Sequence, residues 1–161
     1  MQAILALGSN LGDRLEHLRE AVRQLHESGA LQVERLSSVW ETPPVPPGQP
    51  SFYNAVVLGR TLLEPLALLR RVKAMEANLG RTPTWRWGPR TIDIDILFLG
   101  DREVSTPELT VPHPRIAERA FVLLPLMEVY PHPLPKFGRT ARELLDWRAA
   151  SRFVRIGPLS F

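Results

Sequence analysis

TIDIDILFL, residues 91–99, is the stretch on which the fold turns. Ile92, Ile94, Ile96 and Phe98 alternate with Asp93 and Asp95, the period of a β-strand, whose successive side chains point to opposite faces. The pattern predicts a strand with these four apolar residues on one face and both aspartates on the other. Two carboxylates about 7 Å apart along one strand face, twice the rise per residue, repel each other unless positive charge lies between them. Hard divalent cations supply that charge. Mg²⁺ in particular takes one or two carboxylates and leaves its other positions to phosphate oxygens.

Immediately upstream, RTPTWRWGPR (81–90) carries Arg81, Arg86 and Arg90 with Trp85 and Trp87, punctuated by Pro83, Gly88 and Pro89. The planar donor fork of arginine suits phosphate oxygens. An Asp-x-Asp pair alone is more often a solvated strand face, and the basic, aromatic neighbour turns the reading toward a metal-bound phosphate ligand. With three arginines and few aliphatic residues, 81–90 is expected to be a lid that closes over an anion.

Farther out, the apolar run Gln2 to Leu7 reads as a buried strand. Gly8 to Gly12 turns the chain, and Asp13 with Glu16 three residues on resembles a capping box. The helix that follows carries Leu15, Leu18, Val22 and Leu25 on one stripe and ends near Gly29. Leu31 to Thr42 is expected to be one strand. TPPVPPGQP (42–50) is too rich in proline for a helix or a central strand and predicts a stiff loop beside a site. Phe52 to Leu62 reads as a third strand. Glu64-Pro65 opens a second helix, with Leu69, Val72 and Leu79 on its stripe and Gly80 as its stop. Glu76 falls on that same stripe, either reaching water or aimed at a ligand, and the basic segment nearby favours the ligand.

The aspartate strand then closes a β-α-β-β-α-β order. The expected fold class is α+β, a ferredoxin-like βαββαβ sandwich, with C-terminal helical and hairpin additions. Those additions are a hairpin near Glu103-Val104, a largely helical 115–130 with Pro125 near a turn, a helix over Arg139 to Trp147 and an edge strand over Phe153 to Ile156.

The chain has 161 residues, 44% hydrophobic and 23% charged, the balance of an ordinary globular protein, and 1–161 is expected to be a single domain. No apolar run is long enough to span a bilayer, and the N-terminus does not resemble a signal peptide. A cytoplasmic monomer is expected, with no membrane partner. Absence of cysteine excludes disulfides, thiol nucleophiles and thiolate metal sites. A net charge of +3 suits small polyanions and is weak support for nucleic acid, which is not expected as a partner.

Two further spots bear on chemistry. Phe52 and Asn54 share a strand face, and a ring beside an amide recognises a flat, hydrogen-bonding heterocycle, although a core Phe beside a structural Asn fits the pair alone. His113, held between Pro112 and Pro114 and followed by Arg119 and Phe121, is a candidate phosphate contact. GSNLGD (8–13) lacks the lysine of a P-loop and the spacing of a dinucleotide fingerprint, so it reads as a turn and cap shaping a pocket wall.

RWGPRTIDIDI (86–96), LTVPHPRIAERAF (109–121), GSNLG (8–12), ETPP (41–44) and QPSFYNAVV (49–57) together resemble the 6-hydroxymethyl-7,8-dihydropterin pyrophosphokinases of folate biosynthesis, over essentially the whole chain. The resemblance implies transfer of a pyrophosphoryl group from ATP to the hydroxymethyl group of a reduced pterin, with release of AMP. It implies Asp93 and Asp95 as ligands of two Mg²⁺ ions. Arg81, Trp87 and Arg90 would lie on a loop closing over the nucleotide, with Arg81 and Arg90 acting on the phosphates in catalysis. Glu76, His113 and Arg119 correspond to ATP contacts, with Ile96 and Thr110 near the adenine. Phe52 and Phe121 would sandwich the pterin, while Asn54 and backbone groups around Thr42, Pro43 and Val45 read its edge. With no general base evident beside the aspartates, positioning and charge neutralisation would carry the reaction. Two other readings compete. A Mg²⁺-dependent phosphohydrolase could use the same aspartates, and an RRM-like RNA binder would need first-strand aromatics that this chain lacks.

Overall fold

The computed structural model describes residues 1–80 and 91–161. The N-terminal apolar run forms β1, Gln2–Ser9, which carries the chain two residues beyond the expected strand end. The chain turns through Gly12, whose φ of +71° only glycine adopts without strain. It then enters α1, Arg14–Glu27, where the Asp13 carboxylate accepts the Glu16 N–H at 3.2 Å, as the cap signal predicts. Leu18, Ala21, Val22 and Leu25 form its buried stripe.

The strand expected over 31–42 is two strands, β2, Gln32–Leu36, and β3, Ser38–Thr42. Both pair antiparallel with β4, Phe52–Arg60. Ser37 makes the break. Its hydroxyl accepts the Val56 N–H at 2.8 Å and donates to the Ser38 carbonyl at 2.8 Å, so a side chain occupies a place in the ladder that backbone would otherwise fill. The second helix, α2, Pro65–Asn78, opens with its proline at the first position, where a missing N–H leaves no helical bond unmade.

β5, Asp93–Leu99, lies at the sheet edge beside β1. Its alternation holds only through Ile96. The register steps from Leu5 opposite Ile96 to Ile4 opposite Phe98, which leaves Leu97 as an extra residue, a β-bulge. Ile92, Ile94 and Ile96 therefore bury with Leu99 against α1 and α2, while Phe98 joins Leu97 on the opposite face. This corrects the expectation that Phe98 shares the isoleucine face.

After β5 come a small hairpin, β6, Val104–Ser105, with β7, Thr110–Val111, and a 3-10 turn, Ile116–Glu118. The helix expected over 115–130 is α3, Ala120–Val129, and Pro125 lies inside it, not at a turn. It removes the N–H that would bond the Phe121 carbonyl, and its buried ring packs in the core instead. The helix expected over 139–147 is split into α4, Ala141–Leu144, and α5, Trp147–Ala150, because Leu145 is extended and Asp146 caps the second piece. β8, Val154–Pro158, pairs with β3 as the far edge strand.

The sheet order is β5-β1-β4-β3-β8, with β2 also on β4. Side chains of α1 and α2 share one core with Leu5, Leu7 and Val57, whereas α3 packs on Ile4, Ala6, Val56 and Leu58 from the other face. The result is a mixed α/β fold built on an antiparallel sheet with helices on both faces. No helix among the described residues is long and apolar enough to cross a membrane.

Candidate active site

Sheet order brings together residues that are far apart in sequence. β1 runs between β5 and β4, so Gly8 stands opposite Asp93 on one side and Asn54 on the other. Ala6 stands likewise between Asp95 and Val56. Asp93 and Asp95 alternate with the buried isoleucines and so project from the face that carries α3, both half-buried. Directly opposed residues of an antiparallel pair share a face, so Asn54 projects from that face too. Phe52, two residues earlier on β4, does the same.

Asn54 is held before any ligand arrives. It is 7% exposed, and its amide nitrogen donates to the Thr42 hydroxyl at 2.7 Å, with Thr42 itself 2% exposed. Pro43 and Val45 follow on the exposed part of the proline loop, Val45 with 69% of its surface open. The loop ends are tied to the body by groups the sequence reading passed over. Buried Asn10 donates to the Gln49 side chain at 2.9 Å and to the Pro50 carbonyl at 3.1 Å. Arg14 reaches the Ser51 carbonyl at 2.9 Å, the Ser51 hydroxyl at 2.8 Å and Glu41 at 3.0 Å, and lies 3.8 Å over the Tyr53 ring. No local pattern announces these contacts, because each joins residues ten or more positions apart in sequence.

The Ser51 hydroxyl, chiefly, and Arg14 hold the Glu41 carboxyl below its ordinary value of 4.5, with burial opposing them. A depressed carboxyl stabilises the fold at pH values above its ordinary range and loses that contribution as pH falls through the lowered value. The difference in Tm between wild type and Glu41→Gln is therefore expected to be largest near neutrality and to shrink steadily below pH 4.5. A difference that stayed constant with pH would mean that the charge of Glu41 has no part in it.

The opposite wall of the site comes from the segment after β7. The His113 N–H donates to the Leu97 carbonyl at 3.1 Å, which hangs this segment on the outer edge of β5 at the bulge. His113 Nδ1 accepts the Arg115 N–H at 3.3 Å. Burial lowers the His113 pKa, Asp95 opposes the shift, and Arg119 and Arg115 add to it, so the imidazole is neutral at physiological pH. Burial also lowers Arg119, again against Asp95, but an arginine keeps its charge throughout. Arg119 and His113 thus feel the same carboxylate. Arg119 precedes α3, and its guanidinium carbon lies 5.7 Å from the Phe121 ring centre. The far end of α3 is fastened by Glu128, which accepts the Ser38 hydroxyl at 2.8 Å and the Trp40 indole N–H at 2.7 Å.

Other sequence-chosen residues sit differently. The Ile96 side chain is buried in the α1/α2 core, away from the aspartate face, so only its backbone could meet a nucleotide on that face. Thr110 is exposed on β7. Glu76, 2% exposed on α2, accepts the Ile94 N–H at 2.9 Å and pairs with Lys73 at 3.2 Å. It thereby supports the strand that carries both aspartates. Glu76→Ala would leave a buried backbone N–H without its acceptor and is expected to lower unfolding free energy by about 1–3 kcal/mol in denaturant melts. A change under about 0.5 kcal/mol, the usual scale of a surface substitution, would contradict that supporting role. Arg81, Trp87 and Arg90, with the lid expectation for 81–90, lie outside the described residues.

Comparison with known proteins points to one family. Residues 4–131 match the family model described as 7,8-dihydro-6-hydroxymethylpterin-pyrophosphokinase. The chain is 48% identical over 128 residues to the 2-amino-4-hydroxy-6-hydroxymethyldihydropteridine pyrophosphokinase of Bacillus subtilis, covering 79% of this chain and 77% of that one. To the enzyme of that name from Aquifex aeolicus it is 40% identical over 134 residues, 81% of this chain and 82% of the relative. The crystal structure of wild-type Plasmodium falciparum HPPK-DHPS with pteroate superposes with a TM-score of 0.71 at 19% identity, covering 94% of this chain. The chain spans 42% of the length of that solved protein, and the likeness there is one of fold. With residues 4–131 matched by the family model and two relatives 48% and 40% identical over 79% and 81% of its length, the chain belongs to the 7,8-dihydro-6-hydroxymethylpterin-pyrophosphokinase family.

Proposed function

We propose that this chain transfers the β,γ-diphosphoryl group of ATP to the hydroxymethyl group of 6-hydroxymethyl-7,8-dihydropterin, giving AMP and the pterin diphosphate, a step of folate biosynthesis. The observation that carries the reading is the row Asp93–Gly8–Asn54 across three neighbouring strands, which sets a pair of carboxylates beside a pre-oriented amide. The substrate oxygen attacks the β-phosphorus, the bond from that phosphorus to the bridging oxygen breaks, AMP leaves with the bridging oxygen, and the hydroxyl proton passes to solvent.

Asn54, backed by Thr42, reads the polar edge of the pterin, and Phe52 and Phe121 stack on its faces. Arg119, a permanent cation, and His113 meet the phosphates near Asp95. Asp93 and Asp95 would hold Mg²⁺, two ions by the family resemblance. Two hard oxygen donors on one strand face fit a cation that takes its remaining ligands from phosphates and water. When bound, Mg²⁺ supplies positive charge against the phosphate oxygens. Arg81 and Arg90 are assigned to the charge on the leaving AMP, Trp87 to the nucleotide, Glu76 to ATP, and Ile96 and Thr110 to the neighbourhood of the adenine, all on the family resemblance. Thr42, Pro43 and Val45 are assigned to the pterin through their backbone. The chain's own contribution is thus placement and electrostatics.

The βαββαβ core, with β2 and β3 as one broken strand and α1 and α2 on one face, supports a ferredoxin-like description, and residues 1–161 are proposed to act as one pyrophosphokinase domain. The reading is tested by incubating the protein with ATP and Mg²⁺, with and without the reduced pterin, and separating the nucleotides. AMP is expected only when the pterin is present. ADP or free phosphate released without pterin would favour a phosphohydrolase.

A further inference from the structure

Gly8 is the member of the site row with no role so far. It lies inside β1, where a glycine weakens the strand and marks a bulge or the close approach of a ligand or another backbone. Its partners on both sides are in register, so no bulge accounts for it. Positive φ does not account for it either, since Gly8 is not among the glycines that adopt one. A Cβ placed on Gly8 would stand 2.9 Å from Asn54 Oδ1 and 3.6 Å from Phe52 Cδ1. Those are the amide and the ring assigned to the heterocycle. Gly59 on β4 is the contrasting case, because a Cβ there would strike the Gln32 carbonyl at 2.2 Å, a backbone reason at a register irregularity.

Neighbouring strands are about 4.8 Å apart, so Asn54 and Asp93 are separated by about 10 Å with Gly8 midway. A ring held at its polar edge by Asn54, with its reactive arm aimed at phosphates near Asp93, must pass over Gly8. We propose that Gly8 is a positioning and specificity-determining residue, whose missing side chain is the gap through which the hydroxymethyl arm reaches the phosphates. The inference rests on the function proposed above. A Cβ at this point would push the Asn54 amide off Thr42 and stand in the path of the arm.

The test is Gly8→Ala. Misplacement of the arm by about 1 Å is expected to lower kcat roughly 100-fold. Titration calorimetry with the reduced pterin should show binding weakened about tenfold through the displaced amide. Calorimetry with Mg²⁺ and ATP, without pterin, should change less than about threefold, since uniform damage to the fold would affect both ligands alike. A variant that turns over pterin within threefold of wild type, or that loses both ligands equally, overturns the inference. Should Gly8→Ala fail to fold, Asn54→Ser shortens the side chain that the new Cβ strikes. The double variant must then still turn over about tenfold more slowly than Asn54→Ser alone, and equal rates would overturn the gap. Wild-type protein that forms no AMP would overturn the parent reading as well, whereas active wild type with an equally active Gly8→Ala would overturn this inference alone.

Discussion

Asp95→Asn is expected to keep the fold and lose at least about 100-fold in Mg²⁺-dependent turnover, about 2.7 kcal/mol of transition-state stabilisation. The substitution keeps size and shape but removes the negative charge beside the Arg119 cation. Asp95 faces Arg119 and His113, and it sits two residues along the strand from Asp93. Without it, a cation would lose one hard oxygen donor, and the positive wall around the phosphates would lose its counterweight. Asp93→Asn should behave the same way. A Tm close to wild type together with near-normal kcat in either variant would show that these carboxylates are merely solvated. A large fall in Tm would instead place their role in folding.

The second large effect is expected at Asn54. Asn54→Leu preserves bulk but presents an apolar group to a polar ring edge, so pterin affinity should fall by about 1–3 kcal/mol, roughly 5- to 150-fold. ATP affinity should hardly move, because the nucleotide is assigned to the other side of β1. The same change leaves the buried Thr42 hydroxyl without the amide it accepts from, so a modest loss of Tm should accompany it. Calorimetric titration of both ligands separates the two consequences. Equal weakening of pterin and ATP would mean a general defect and would remove Asn54 from the pterin edge.

Where local periodicity decides, the placement of the candidate residues is legible in the sequence. Asp93 and Asp95 fall on one strand face because a period of two is a property of the strand itself. The Asp13 cap and the start of α2 at Glu64-Pro65 are legible for the same reason, since each signal lies within a few residues of its effect. What failed was set by partners distant in sequence. Phe98 changes face because β1 dictates a bulge at Leu97, and the second strand breaks because Ser37 finds Val56. Pro125 sits inside α3 because the packed core of that face favours helix despite the missing N–H. The meeting of Asp93 with Asn54 depends on β1 lying between β5 and β4, which neither segment declares by itself.

The burial of Ile96 is instructive in the same way. Alternation already placed it opposite the aspartates, so its side chain belongs to the core whatever its backbone touches. Glu76 shows the converse. A carboxylate on an apolar stripe suggests a ligand group, and Glu76 also bonds the Ile94 N–H under the aspartate strand. A residue can thus bear on the site by holding its frame.

In the proposed reaction a diphosphoryl group passes directly onto the pterin. Phosphorus NMR of the complete mixture of protein, Mg²⁺, ATP and the reduced pterin tests it in one measurement. ATP signals are expected to decay into two products in equal amounts, AMP and a diphosphate ester of the pterin, with no signal from free pyrophosphate. Free pyrophosphate or orthophosphate in place of the ester, or decay of ATP at the same rate when the pterin is omitted, would contradict it.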